Sequence, residues 1–100
     1  MLITHFRAVN FKADSSLKKF IQSRVQKLSL FHKQIIKVFV FTKVENSFDS
    51  INKFAELKIN LPGDVIIIKK ISRTFEESIS KAIDSAKRTL IERKEKKRFS

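Results

Sequence analysis

The residues that could support catalysis are few in this sequence, and their spacing does not suit it. Cysteine is absent, so neither a thiolate nucleophile nor a cysteine-zinc site is available. His5 and His32 stand in no metal-ligand spacing with carboxylates, and the one glycine, Gly63, belongs to a turn sequence. The pair Glu76 and Glu77 fits the first turn of a helix, where the helix dipole favours carboxylates. We therefore expect a protein with no enzymatic activity, no metal and no cofactor.

The basic residues offer a different chemistry, because they are numerous and unevenly placed. The chain carries 22 lysines and arginines against 10 acids, a net charge of +12. Residues 1–44 have a net charge of +8, residues 45–68 of −2 and residues 69–100 of +6. So large an excess repels itself in a small domain unless a polyanion relieves it. The segment charges predict one positive surface formed by residues 69–98 and the first helix, with residues 45–68 lying away from it.

Nine of these basic residues are candidates for binding RNA phosphates, and all lie in predicted helices. Arg24 falls inside the apolar stripe of the first helix with Lys27 beside it, although Arg24 could instead lay its stem over the edge of the core. The last turns of the second helix hold more cations than its dipole requires. The candidates are Arg24, Lys27, Lys81, Lys87, Arg88, Arg93, Lys94, Lys96 and Lys97.

Hydrophobic periodicity indicates which elements position these residues. The predicted elements are a strand at 2–7, a helix from the N-cap residues 14–16 to Phe31, a strand at 35–44, two hairpin strands at 54–61 and 65–71, and a helix after a capping box at Thr74 and Glu77. Pro62 and Gly63 occupy the central positions of a type II turn. The order β-α-β-β-β-α predicts an α+β fold, with a four-stranded sheet and both helices packed on one face.

The second helix is predicted to continue beyond the last residue of its apolar face. The stripe ends at Leu90, and the next positions on it are Arg93 and Lys97, so residues 91–100 should form a basic helical end that projects past the sheet. The 100 residues are expected to form a single domain. The sequence begins without a signal-peptide pattern and contains no apolar run long enough to span a membrane, so we expect a cytoplasmic protein.

Three phenylalanines, Phe39, Phe41 and Phe54, are predicted to form an apolar patch on the sheet face opposite the helices. Such a patch could stack bases, support weak self-association or be partly covered by loop residues such as Phe48. The strands show no basic-aromatic sequence signature of the kind found in RNA modules that stack bases on a sheet, so base stacking is the less favoured of these alternatives.

Three stretches of the chain resemble the hibernation-promoting factor and ribosome-associated inhibitor family, in its short form. They are Leu17-x-x-Phe20-Ile21-x-x-Arg24-Val25-x-Lys27-Leu28-x-x-Phe31, then Asn60-Leu61-Pro62-Gly63, and then Arg88-Thr89-Leu90-x-x-x-Lys94-Glu95-Lys96. The resemblance implies a protein that binds the small ribosomal subunit and its rRNA at the decoding region. It would block the sites of messenger and transfer RNA and so inhibit translation in idle ribosomes, under stress or in stationary phase.

Two other functions remain open from the sequence. A generic double-stranded-RNA-binding module would share the charge and the order of the later elements, but it requires a lysine-rich helix start, where this chain has Glu76 and Glu77. A structural interaction protein could assemble through the Phe39, Phe41 and Phe54 patch, with the charge serving solubility alone.

Overall fold

A four-stranded sheet carries two helices on one of its faces. The computed structural model describes the backbone of residues 3–45 and 50–99 and the side chains of residues 4–45 and 50–93. The elements are β1 (Ile3–Val9), α1 (Ser15–Gln26), a 3-10 turn (Lys27–Leu30), β2 (Lys37–Val44), β3 (Lys53–Leu61), β4 (Asp64–Ser72) and α2 (Phe75–Phe99). The predicted α+β class and element order are confirmed.

The strands lie in the order β1-β2-β3-β4. β1 runs parallel to β2, and the other two neighbouring pairs are antiparallel. A parallel pair needs a crossover connection, and α1 lies in that connection. β1 and β4 are therefore the two edges of the described sheet.

Both helices begin at side-chain caps that the sequence predicts. The Asp14 carboxylate accepts a hydrogen bond from the Leu17 amide at 2.8 Å, and the Thr74 hydroxyl accepts one from the Glu77 amide at 3.1 Å. The Glu77 carboxylate of the predicted capping box lies 3.0 Å from the Lys81 ammonium, an ion pair between residues one turn apart on α2.

The first helix ends earlier than the sequence predicts. The α-helical part stops at Gln26 and the chain continues as the 3-10 turn, so the helix does not reach Phe31. The Ser29 hydroxyl donates to the Gln26 carbonyl at 2.8 Å, and such a bond competes with the backbone for the carbonyls of the last helical turn. Leu28 nevertheless stays buried, as its place in the apolar stripe predicts.

The hairpin between β3 and β4 has the predicted turn. Leu61 pairs with Asp64 across it, and Gly63 between them has a φ of +71°, the left-handed conformation that the third position of a type II turn requires. The hairpin tip thus depends on Gly63.

The core fills the space between the sheet and the two helices. Its fully buried large side chains are Ile21, Val25, Leu28, Val38, Val40, Leu57, Ile59, Ile79 and Leu90. Alternation along the strands sends the other set of side chains to the face opposite the helices, which we call the open sheet face. Among its members are Phe39, Phe41 and Phe54, as predicted, whereas Phe48 lies outside the described residues.

Candidate nucleic-acid interface

Arg24 and Lys27 lie on the side of α1 that faces α2. The opposite side of α1 borders β1, where Lys18 lines a depression together with Thr4. At about 100° per residue, Arg24 and Lys27 fall on the other side of the buried stripe from Lys18. Since α1 packs against α2 as well as β1, the side that carries Arg24, and that leads to Lys27 at the start of the 3-10 turn, is the side toward α2; both side chains are exposed.

The Arg24 side chain is held by an aromatic ring. Its guanidinium carbon lies 4.9 Å from the centroid of Phe20, one turn earlier on the same helix. A cation over a ring face is attracted by the ring quadrupole, by about 0.5–1 kcal/mol at exposed sites. Arg24 is exposed and its charged group lies over Phe20, which itself packs against the core; its binding of phosphate stays a prediction.

Lys87, in the middle of α2, contacts the chain just after the end of the first helical segment. Its ammonium lies 4.6 Å from the ring centroid of Phe31, which directly follows the 3-10 turn that begins at Lys27. The contact places cations of two distant chain segments on the same side of the helix pair. We call the set Arg24, Lys27, Lys87 and Arg88 the helix-face cations.

Arg88 and Lys81 are exposed, and each has a polar partner on α2 itself. The Arg88 guanidinium donates to the Ser85 hydroxyl at 3.4 Å, and the exposed Lys81 forms the ion pair with Glu77. Exposed pairs of this kind contribute only about 0–1 kcal/mol, so a phosphate could displace the carboxylate.

Arg93 contacts a residue that sequence reasoning had placed elsewhere. Its guanidinium forms an ion pair with the carboxylate of Asp64 at the hairpin tip. The prediction that residues 45–68 lie away from the basic surface is therefore wrong for Asp64. Leu90 is the last buried residue of the α2 stripe, and at the next stripe position the Asp64 carboxylate supplies a polar partner for Arg93.

The remaining candidates, Lys94, Lys96 and Lys97, lie on the final turns of α2. The helix backbone continues to Phe99, as the composition predicts. The side chains of these three lysines lie outside the described residues.

A second group of basic residues, on the open sheet face, was not among the predicted RNA-binding residues. Arg7, Lys37, Lys43, Lys58 and Lys69 belong to the strand positions that alternate with the buried ones. The signal that could have revealed them is the period of two in each strand, read for cations as well as for phenylalanines.

Two structural findings bear on other kinds of site. Among residues 4–45 and 50–93, no three His, Asp or Glu side chains lie close enough together to hold a metal ion. Within the described part of the chain, no helix combines the length and apolar character of a membrane span.

The fold and this surface define the class of protein. It is a small α+β domain whose two packed helices carry basic side chains, and basic side chains are the type that contacts nucleic-acid phosphates.

The sequence profile of the family described as sigma 54 modulation protein / S30EA ribosomal protein matches residues 4–98. The chain therefore belongs to this family, which is the ribosome hibernation family indicated by its three sequence stretches. A search of curated protein sequences found no match.

Solved structures share the fold at low sequence identity. A ribosomal subunit interface protein from Coxiella burnetii aligns with a TM-score of 0.81 and 11% identity, over 93% of this chain and 98% of that one. The N-terminal domain of Protein Y from Thermus thermophilus aligns with a TM-score of 0.77 and 14% identity, over 92% of this chain and 98% of that one. At these identities the likeness supports the fold assignment alone.

Proposed function

We propose that this protein is a non-enzymatic ribosome hibernation factor that acts in the cytoplasm. It binds the rRNA of the small subunit at the decoding region, blocks the sites of messenger and transfer RNA, and inhibits translation in idle ribosomes. The 100 residues act as one ribosome-binding domain. Family membership supports the ribosome as partner, and the name of the Coxiella burnetii relative, a ribosomal subunit interface protein, agrees with it.

The observation that carries the proposal is the set of helix-face cations. The contact of Lys87 with Phe31 brings together two chain segments about 60 residues apart, 24–31 and 87–88, that carry these cations. None of the four cations forms an ion pair with a carboxylate in the described part of the chain. Four cations without carboxylate partners, fixed on rigid helices, suit the folded phosphate surface of rRNA, which proteins recognise largely by shape and backbone.

The variant Arg24→Ala/Lys27→Ala/Lys87→Ala/Arg88→Ala tests this role. It should keep its fold, because Arg24, Lys27 and Arg88 are exposed, where a substitution changes the free energy of unfolding by only about 0.5 kcal/mol. Lys87 is half-buried, and its replacement removes a cation–ring contact with Phe31 that contributes about 0.5–1 kcal/mol. We expect it to lose cosedimentation with small subunits in a sucrose gradient and to lose repression of translation in a purified system.

The matched control removes four other exposed cations, Lys12, Lys18, Lys19 and Arg73. Phe11 stacks on Phe75 at 4.3 Å, so Lys12 and Arg73 lie near the shared N-terminal end of the helix pair, away from Lys87. The control should retain repression although its net charge is equally reduced. Equal repression by the two variants would show that the helix-face cations are not the binding surface.

Competition with messenger and transfer RNA tests whether the protein binds at the decoding region. Increasing amounts of the protein should displace a labelled messenger fragment and the transfer RNA bound to it from small subunits. Retention of both ligands at a saturating concentration of the protein would contradict binding at the decoding region.

A further inference from the structure

The open sheet face combines aromatic rings with cations drawn from several strands. Phe39 and Phe41 of β2 and Phe54 of β3 are half-buried there, and the Phe41 and Phe54 rings pack edge to face at 6.2 Å. No helix covers this side of the described sheet, since α1 and α2 both lie on the other. The rings are therefore available to a partner.

One row of residues across the strands contains both aromatic rings and basic side chains. The register pairs His5 with Phe39, Phe39 with Lys58, and Lys58 with Ile67. The imidazole of His5 stacks on the Phe39 ring, with centroids 4.9 Å apart and planes 18° from parallel. The ammonium groups of Lys58 and Lys37 lie 5.7 Å and 5.2 Å from the Phe39 centroid. The row is thus a two-ring stack with ammonium groups close to the inner ring.

The stack can be extended on one side. His5 belongs to the edge strand β1, so no further strand of the described sheet stands beyond it, and its side chain is exposed. A shallow depression of about 250 Å³ beside it is lined by His5, Arg7, Phe39, Phe41 and Lys58, among others. A flat ring of similar size could stack against the imidazole, with cations within reach of its substituents.

The charge of this face favours a polyanion over a second copy of the chain. The open-face cations are Arg7, Lys37, Lys43, Lys58 and Lys69. Lys69 lies 3.8 Å from Glu56, and Lys43 lies 3.9 Å from Glu45. The remaining three have no ion-pair partner among the described residues. Two copies meeting through this face would bring like charges together in a chain whose net charge is +12.

We infer that the open sheet face binds a single-stranded segment of RNA, with one base stacked on His5 and the backbone phosphates held by Arg7, Lys37 and Lys58. Stacking requires an exposed base face, which a duplex hides and an unpaired strand offers. This site is distinct from the helix-face cations, because the sheet separates the two surfaces. One molecule can therefore hold structured rRNA with its helices and an unpaired strand with its sheet.

Binding of defined oligonucleotides tests the inference without the ribosome, so its outcome is separate from that of the decoding-region proposal. Fluorescence anisotropy compares a labelled single strand of about 12 uridines with a duplex RNA of about 12 base pairs. The test variant is His5→Ala/Lys58→Gln, and the matched control, Lys19→Gln/Gln22→Ala, removes one charge and truncates one exposed side chain on α1. The test variant should bind the single strand about tenfold more weakly than the control does, with equal affinity for the duplex.

A second measurement uses the unaltered chain and so does not depend on how the variant folds. Ring-proton NMR signals of His5 and Phe39 should shift upfield when the oligonucleotide is added, because a stacked base imposes its ring current on them. Equal single-strand affinity of test variant and control, or unshifted signals at saturation, would overturn the inference. A dimer in sedimentation equilibrium that the His5→Ala/Lys58→Gln variant dissociates would assign the face to a second copy instead.

Discussion

At the scale of single residues, the environment of each basic side chain differs although its charge does not. Arg24 and Lys87 rest on aromatic rings, while Lys81 and Arg93 have carboxylate partners. A cation over a ring keeps its full charge for a phosphate, whereas an ion-paired cation must first exchange partners. The nine predicted binding residues are therefore unequal, and Arg93 is the most informative of them.

The Arg93 and Asp64 pair separates a structural from a binding role. Asp64→Asn keeps the side-chain oxygen that accepts from the Val65 amide at 2.8 Å but removes the negative charge opposite Arg93. If Arg93 binds rRNA, Asp64→Asn should bind small subunits at least as tightly as the parent, and Arg93→Ala more weakly. Both should lower the free energy of unfolding by no more than about 1 kcal/mol. Binding is measured by filter retention, and equal weakening by both substitutions would indicate a structural pair.

At the scale of elements, the hairpin that carries Asp64 depends on its glycine. A Cβ added at Gly63 would meet nothing within 4 Å, so a substitution there changes backbone strain without causing a clash. Gly63→Ala should lower the free energy of unfolding by about 1–2 kcal/mol, because alanine is strained at a positive φ.

Urea denaturation followed by circular dichroism measures that loss, and Gly63→Asn provides the control. Asparagine tolerates the left-handed conformation, as Asn10 does here at a φ of +67°. The asparagine variant should recover most of the stability. Equal losses for alanine and asparagine would mean that the turn needs glycine for a reason other than its φ.

At the scale of the whole molecule, the net charge of +12 governs how binding responds to salt. A protein that neutralises about six phosphates should lose on the order of a thousandfold in affinity between about 50 and 200 mM KCl. The Mg²⁺ concentration is held constant so that the ribosomal subunits stay intact. Affinity is measured by cosedimentation across the salt series.

The variant Arg24→Ala/Lys27→Ala, which keeps two of the four helix-face cations and so retains measurable binding, should show a weaker salt dependence. Removing two phosphate contacts lowers the slope of log affinity against log salt concentration by about 1.5–2. An unchanged slope would mean that other cations, including those of the open sheet face, make the phosphate contacts.

Local sequence determined the elements of this protein, their order and their buried faces. Helix stripes, the caps at Asp14 and Thr74 and the turn at Gly63 each depend on residues a few positions apart, so they could be predicted directly. The end of α1 was misjudged because the apolar stripe continues through the buried Leu28 into the 3-10 turn, so periodicity alone did not mark where the α-helix stops. The phenylalanines of the open sheet face were predicted for the same local reason, the alternation of side chains in a strand.

Only the tertiary structure decided which distant residues meet. Arg93 reaches Asp64 because α2 crosses the sheet and passes the hairpin tip, which no spacing along the helix encodes. His5, Phe39 and Lys58 come from three strands, and they form one row because parallel and antiparallel pairing set the register among them. Register depends on how the core fits together over the whole chain, since a shift of one residue would send every side chain to the other face. Alternation within one strand predicts which of its residues share the open sheet face, but only the register between strands brings His5, Phe39 and Lys58 into one row.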